Sequence, residues 1–84
     1  MAGAAYSTAQ RAIARTIREA REKAGLHQDQ LAERIGRTQS YISKIEGGHQ
    51  GVDVLLLFDI AVALGIEPVD LYARATADIL KNPK

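Results

Sequence analysis

The stretch from Val54 to Leu64 constrains this chain most. Leu55, Leu56, Leu57, Phe58, Ile60, Ala61, Val62, Ala63 and Leu64 surround it almost completely, and Asp59 is its only charge. At helical period these side chains point in every direction, and a helix that is apolar all round has to be covered all round. The reading is a central helix with other helices packed against it and further cover from a partner or a fifth helix. With 84 residues, the chain has room for one domain, 1–84. A core this small makes association with a second copy unsurprising.

The remaining sequence supplies the other helices and no alternating β pattern. Ser7 and Gln10 are spaced as a capping box for a first helix over about 8–24. Ile13, Ile17, Ala20 and Ala24 form its apolar face, and Gly25 ends it. Leu26 follows as a core plug, and His27 is an N-cap candidate. A second helix is expected over Gln28–Ile35, with Leu31, Ala32 and Ile35 inward and Gly36 as its break. Thr38 is a good N-cap for a third helix, Gln39–Glu46, with Ile42 and Ile45 inward and Gly47-Gly48 at its end. Asp53 caps the fourth and Gly65 closes it. Pro68 opens a fifth, whose apolar face is Val69, Leu71, Tyr72, Ala75, Ile79 and Leu80, and Asn82-Pro83 stops it.

Composition excludes several classes of function. The absence of cysteine removes disulfides, thiolate metal sites and a cysteine nucleophile. His27 and His49 have no supporting ligand cluster, so no metal and no cofactor are expected. Ser40 and Ser43 have no base in the pattern, and no enzyme is expected. No apolar run is long enough to span a membrane. Met1-Ala-Gly-Ala-Ala-Tyr lacks the charged start and apolar stretch of a signal peptide, so the expected location is the cytoplasm. The net charge of +1 hides an asymmetry: residues 1–50 carry eight Lys/Arg against five acids, +3, and residues 51–84 carry three against five, −2. A basic first half suits a polyanion. Arg11, Arg15 and Arg18 form a stripe read as a solvated face.

The informative segment is Gln28 to Gly47, two short helices around a glycine turn, the sequence form of a helix-turn-helix. Ala32 is small where the helices cross, and Gly36 permits a positive φ. Gln39, Ser40, Ser43 and Lys44 are left outward on the second of these helices. The run Leu26-His-Gln-Asp-Gln-Leu-Ala-Glu-Arg-Ile-Gly-Arg-Thr-Gln-Ser-Tyr-Ile-Ser-Lys-Ile-Glu-Gly-Gly resembles the XRE family, regulators typified by lambdoid phage repressors and Cro. The resemblance extends through Ala63-Leu64-Gly65 and covers about residues 11–73.

This resemblance implies an all-α, compact five-helix lambda-repressor-like bundle, with the helix-turn-helix as helices two and three. It implies double-stranded DNA as partner, with the helix from Gln39 in the major groove. Gln39, Ser40, Ser43 and Lys44 are the implied base contacts, and a glutamine amide can pair at two points with adenine. Gln28, Arg37, Thr38, Tyr41, Lys44 and His49 are the implied phosphate contacts, Gln28 also bracing the recognition helix. Arg21 and Glu46 match positions that form a buried ion pair and are read as architecture. The loop Gly47-Gly48-His49-Gln50-Gly51 departs from the family in carrying little charge, although its backbone amides offer phosphate sites.

With two or three cations used by each subunit (Lys44, Arg37 and, as the third, Arg34), a dimer has an expected log–log salt slope of about −4 to −5. Leu71, Tyr72, Ala75 and Ile79 are the expected dimer contacts, 68–84 being the dimerisation element. Palindromic operators match two-fold proteins. The function implied is a repressor acting as a homodimer in the cytoplasm, on a bacterial or phage nucleoid, with no small-molecule ligand. Restriction–modification controllers and autoregulating antitoxins share the architecture, and a protein-interaction module with a vestigial DNA motif is the alternative from another class.

Overall fold

A computed structural model describes residues 7–81, and the expectations placed on residues 1–6 and on Asn82-Pro83 lie outside the described residues. Five helices follow one another: α1 Thr8–Lys23, α2 Gln28–Ile35, α3 Gln39–Glu46, α4 Val54–Leu64 and α5 Pro68–Lys81. No strand occurs among the described residues. Short polar side chains start three of the helices by accepting otherwise unpaired amides. Ser7 Oγ accepts from the Gln10 amide at 3.0 Å, Thr38 Oγ1 from Tyr41 at 3.1 Å and Asp53 Oδ1 from Leu56 at 2.8 Å. At His27 the backbone N–H instead donates to Gln30 Oε1 at 2.8 Å.

Gly36 ends α2 in the left-handed region at φ +70°, and the Arg37 amide folds back onto the Ala32 carbonyl at 2.9 Å. That closure reverses the chain within two residues and aims α3 across α2. A side chain at Gly36 meets no neighbouring atom, so the requirement for glycine there is purely one of backbone conformation.

The core joins all five helices. Ile17 and Ala20 of α1, Leu31 and Ala32 of α2, Ile42 and Ile45 of α3, Ile60 and Leu64 of α4 and Leu71 of α5 belong to one buried cluster. α1 packs on α5 and α3, while α2 lies between α3 and α4. Ala24, expected in the α1 face, is the exposed C-cap residue, and Ile13 is only half-buried.

Two expectations about burial are corrected. α4 is not covered on every side. Leu56, Ile60, Ala61 and Leu64 are buried, but Val54 is 80% exposed, and Leu55, Phe58 and Val62 also face outward. Contacts with α2 and α5 cover only the inner arc of α4. On α5, Leu71 and Ala75 are only 0% and 4% exposed, because they close the chain's own core. Neither is available to a second copy as expected. Tyr72 is exposed and Ile79 half-buried, while Val69 and Leu80, expected on the inward face, are exposed.

Candidate nucleic-acid interface

The Gly36 turn sets α3 against α2 with Ile42 and Ile45 facing in. Helical period then puts Gln39, Ser40, Ser43 and Lys44 outward, and all four are exposed. Thr38 precedes them as the N-cap. Tyr41 is half-buried, and its ring carries the Arg37 guanidinium 4.6 Å from its centroid. This cation–π contact holds the Arg37 charge beside the first turn of α3.

Behind this surface lies a polar network. Arg21 Nε donates to Glu46 Oε2 at 2.6 Å, and Arg21 Nη2 donates to Glu46 Oε1 at 2.9 Å. Arg21 Nη1 also donates to the Leu26 carbonyl at 2.7 Å. The Glu46 side chain is 4% exposed, so α1 and α3 are joined by a bidentate pair away from water. The Arg21 guanidinium is held above its ordinary range. The hydrogen bond to Glu46 is the main cause; desolvation opposes it, and the charges of Glu46 and Glu22 assist it. Gln28 Nε2 donates to Glu46 Oε1 at 3.0 Å, and Gln39 Nε2 donates to Gln28 Oε1 at 2.7 Å. The first residues of α2 and α3 are therefore tied together at the surface and anchored to the interior pair. Both glutamines stood out in the sequence, but nothing in their spacing pointed to Glu46 as the acceptor behind them.

Other sequence expectations are altered. Arg34 does not stand beside Lys44 as a free cation: its Nη1 donates to the Ala63 carbonyl in the last turn of α4 at 2.9 Å. Three amides of the glycine loop are also engaged. Gly47 donates to Ser43, Gly48 to Ile45 and His49 to Lys44, all at 2.9–3.1 Å, so these amides finish α3 and are not open to phosphate. His49 itself is exposed and packs over Gly47, where a Cβ would lie 2.9 Å from its Cδ2. Arg15, of the stripe read as a solvated face, pairs with Asp78 at 2.8 Å and joins α1 to α5 in a partly exposed ion pair.

Among the described residues there is no cluster of three or more His, Cys, Asp or Glu side chains able to hold a metal. Among the same residues no helix is long and apolar enough to cross a membrane.

A helix-turn-helix family model matches residues 17–71, which takes in α2, the turn, α3 and α4. The chain belongs to the XRE family of helix-turn-helix regulators. Among relatives of this XRE protein is an uncharacterised HTH-type transcriptional regulator of Methanothermobacter thermautotrophicus, 43% identical over 54 residues, covering 64% of this chain and 78% of that one. An XRE-family like protein from Pseudomonas syringae pv. tomato is similar in structure, with a TM-score of 0.75 and 33% identity over 86% of this chain and 88% of that one. The restriction-modification controller protein C.AhdI from Aeromonas hydrophila has a TM-score of 0.70 and 34% identity, over 74% of this chain and 90% of that one. The XRE protein described here is a DNA-binding transcriptional regulator, and its family and neighbours are regulators, not enzymes.

Proposed function

We propose that this XRE protein is a sequence-specific repressor that acts in the cytoplasm as a homodimer on a palindromic operator. The observation that carries this reading is the exposed polar row of α3, held at its N-terminal end by the Gln39–Gln28 bond. Gln39, Ser40, Ser43 and Lys44 face base edges in the major groove. Gln28, Arg37, Thr38, Tyr41, Lys44 and His49 meet the phosphates on either side. The guanidinium of Arg37 and the ammonium of Lys44 supply the charge.

The dimer face in this reading is the apolar surface of α4 and α5. Val54, Tyr72 and Ile79 border one groove, lined also by Ile13 and Leu57 and, among polar residues, by Asp53 and Thr76. Leu55, Phe58 and Val62 extend the exposed apolar surface along α4. Contiguous apolar surface of this kind marks an association site. Two copies related by a two-fold axis place their recognition helices one DNA turn apart, about 34 Å. Similarity to C.AhdI favours a second reading, a controller of a restriction–modification system; an adjacent endonuclease gene repressed or activated by this protein decides for it.

The testing experiment is selection of bound duplexes from random DNA, followed by anisotropy titration. A palindromic winner bound at least about a thousandfold more tightly than random DNA supports the reading. A subunit that stays monomeric and enriches no sequence removes it in favour of a protein-binding module.

A further inference from the structure

The hydrogen bonds behind α3 form one chain from the interior to its outward face: Arg21 to Glu46, Glu46 to Gln28, Gln28 to Gln39. This chain has a direction. A carboxylate only accepts, so the group that Gln28 turns toward Glu46 is its NH2. The carbonyl oxygen of Gln28 is then the group turned toward Gln39, and Gln39 must answer with its own NH2. Turning Gln28 over sets its oxygen against the Glu46 carboxylate and its NH2 against that of Gln39, exchanging two bonds for two repulsions. Turning Gln39 over sets oxygen against oxygen. Arg21 holds the starting carboxylate from both sides, so the donor–acceptor order is imposed from the interior outward.

We infer that Glu46, acting through Gln28, fixes the polarity of the Gln39 amide and so selects adenine over guanine at the base pair that Gln39 faces. The inference rests on Gln39 reading a base edge, as proposed above. With one N–H given to Gln28, the held amide offers DNA one acceptor, Oε1, and one remaining N–H. Adenine presents a donor, N6–H, and an acceptor, N7, which match this order. Guanine presents two acceptors, O6 and N7, one of which must face Oε1. A free glutamine would turn over to offer guanine both hydrogens; the held one cannot. Glu46 and Gln28 are therefore positioning residues for the base-reading amide, in addition to any phosphate contact Gln28 makes.

The test uses the full chain and two duplexes, the selected operator and the same operator with adenine changed to guanine at the position whose preference disappears in Gln39→Ala. The ratio of the two affinities is the readout, since a purely structural role lowers both affinities and leaves the ratio unchanged. For the wild-type protein the ratio is expected to be at least about tenfold. Gln28→Met keeps the length of the side chain and removes both polar groups; its ratio is expected to fall to within about twofold of that of Gln39→Ala. Glu46→Gln, whose amide can donate as well as accept, is expected to lower the ratio too and to move the Gln39 side-chain amide resonances of the free protein. A folded Glu46→Gln protein that keeps the wild-type ratio overturns the part given to Glu46, and if that variant fails to fold, Glu46→Asp, which keeps the charge and withdraws the carboxylate from Gln28, takes its place. A Gln28→Met protein that weakens on both duplexes equally and keeps the wild-type ratio overturns the inference, as does a base other than adenine at that position. A preference unchanged in Gln39→Ala removes the base-contact reading itself, an outcome separate from either of those.

Discussion

Arg34 separates two accounts of how this protein holds DNA. Counted with Lys44 and Arg37 it gives three cations per subunit and, in the proposed homodimer, six phosphates, for a log–log salt slope of about −5.4. The structure gives Arg34 another partner, the Ala63 carbonyl at 2.9 Å, and leaves Lys44 and Arg37 at the surface of the helix-turn-helix. Four phosphates per dimer give a slope of about −3.6. Between 50 and 200 mM salt, affinity then falls about 150-fold, compared with about 1,800-fold for six phosphates. Anisotropy titrations of the selected duplex across that range separate the two values. Lys44→Gln is expected to flatten the slope by about 1.8, because each subunit then neutralises one phosphate fewer. Arg34→Gln is expected to leave the slope at the wild-type value and to lower stability by about 0.5–1 kcal/mol, because the bond to the carbonyl is removed. An Arg34→Gln slope that flattens as much as that of Lys44→Gln refutes the assignment of Arg34 to α4.

Other perturbations test the remaining parts. Arg21→Met leaves the Glu46 carboxylate buried without its cation and is expected to cost about 3–5 kcal/mol in urea denaturation. Because the folded state raises the Arg21 pKa, its stabilisation is complete below the ordinary arginine value and is lost only as pH rises through a still higher one; urea midpoints should show no Arg21-dependent change from neutral to moderately alkaline pH. Gly36→Ala forces a Cβ into the left-handed region and is expected to cost about 1–2 kcal/mol, read as a lower melting temperature. Phe58→Glu places a charge on the exposed apolar stripe of α4; if that stripe is the proposed dimer face, light scattering is expected to report a folded monomer and anisotropy a weakened operator complex, and a dimer unchanged from wild type would place the interface elsewhere.

The local structure was legible because it depends on neighbours in sequence. Ser7, Thr38 and Asp53 cap the helices their positions indicated, and Gly36 and Gly65 end helices in the left-handed conformation. Ile42 and Ile45 point inward as their spacing required, and the same period turned Gln39 and Lys44 outward. What escaped depends on contacts between distant segments. The apolar composition of α4 says which side chains avoid water, but not whether the cover lies in the same chain; Val54 and Phe58 therefore stay exposed while Ile60 is fully buried. Leu71 and Tyr72 are adjacent and both apolar in pattern, yet one closes the core and the other faces solvent. Arg34 and Arg37 look equivalent in sequence, and only the position of α4 separates a carbonyl ligand from a surface cation. The Gly47–His49 amides read as open because the sequence does not reveal that the chain curls back over the end of α3.

The bond from Arg34 to the Ala63 carbonyl also has a mechanical meaning. It is a strut from the last turn of α2 to the last turn of α4, backed by the packing of the two helices. The helix-turn-helix and the helix bearing the exposed stripe are thereby braced against each other. A second copy gripped through α4 would have its own helix-turn-helix set at a fixed distance and angle. The tolerance of such a pair for an inserted or deleted base pair between half-sites would then lie in the bending of the DNA or in the grip between copies, and not in the turn at Gly36.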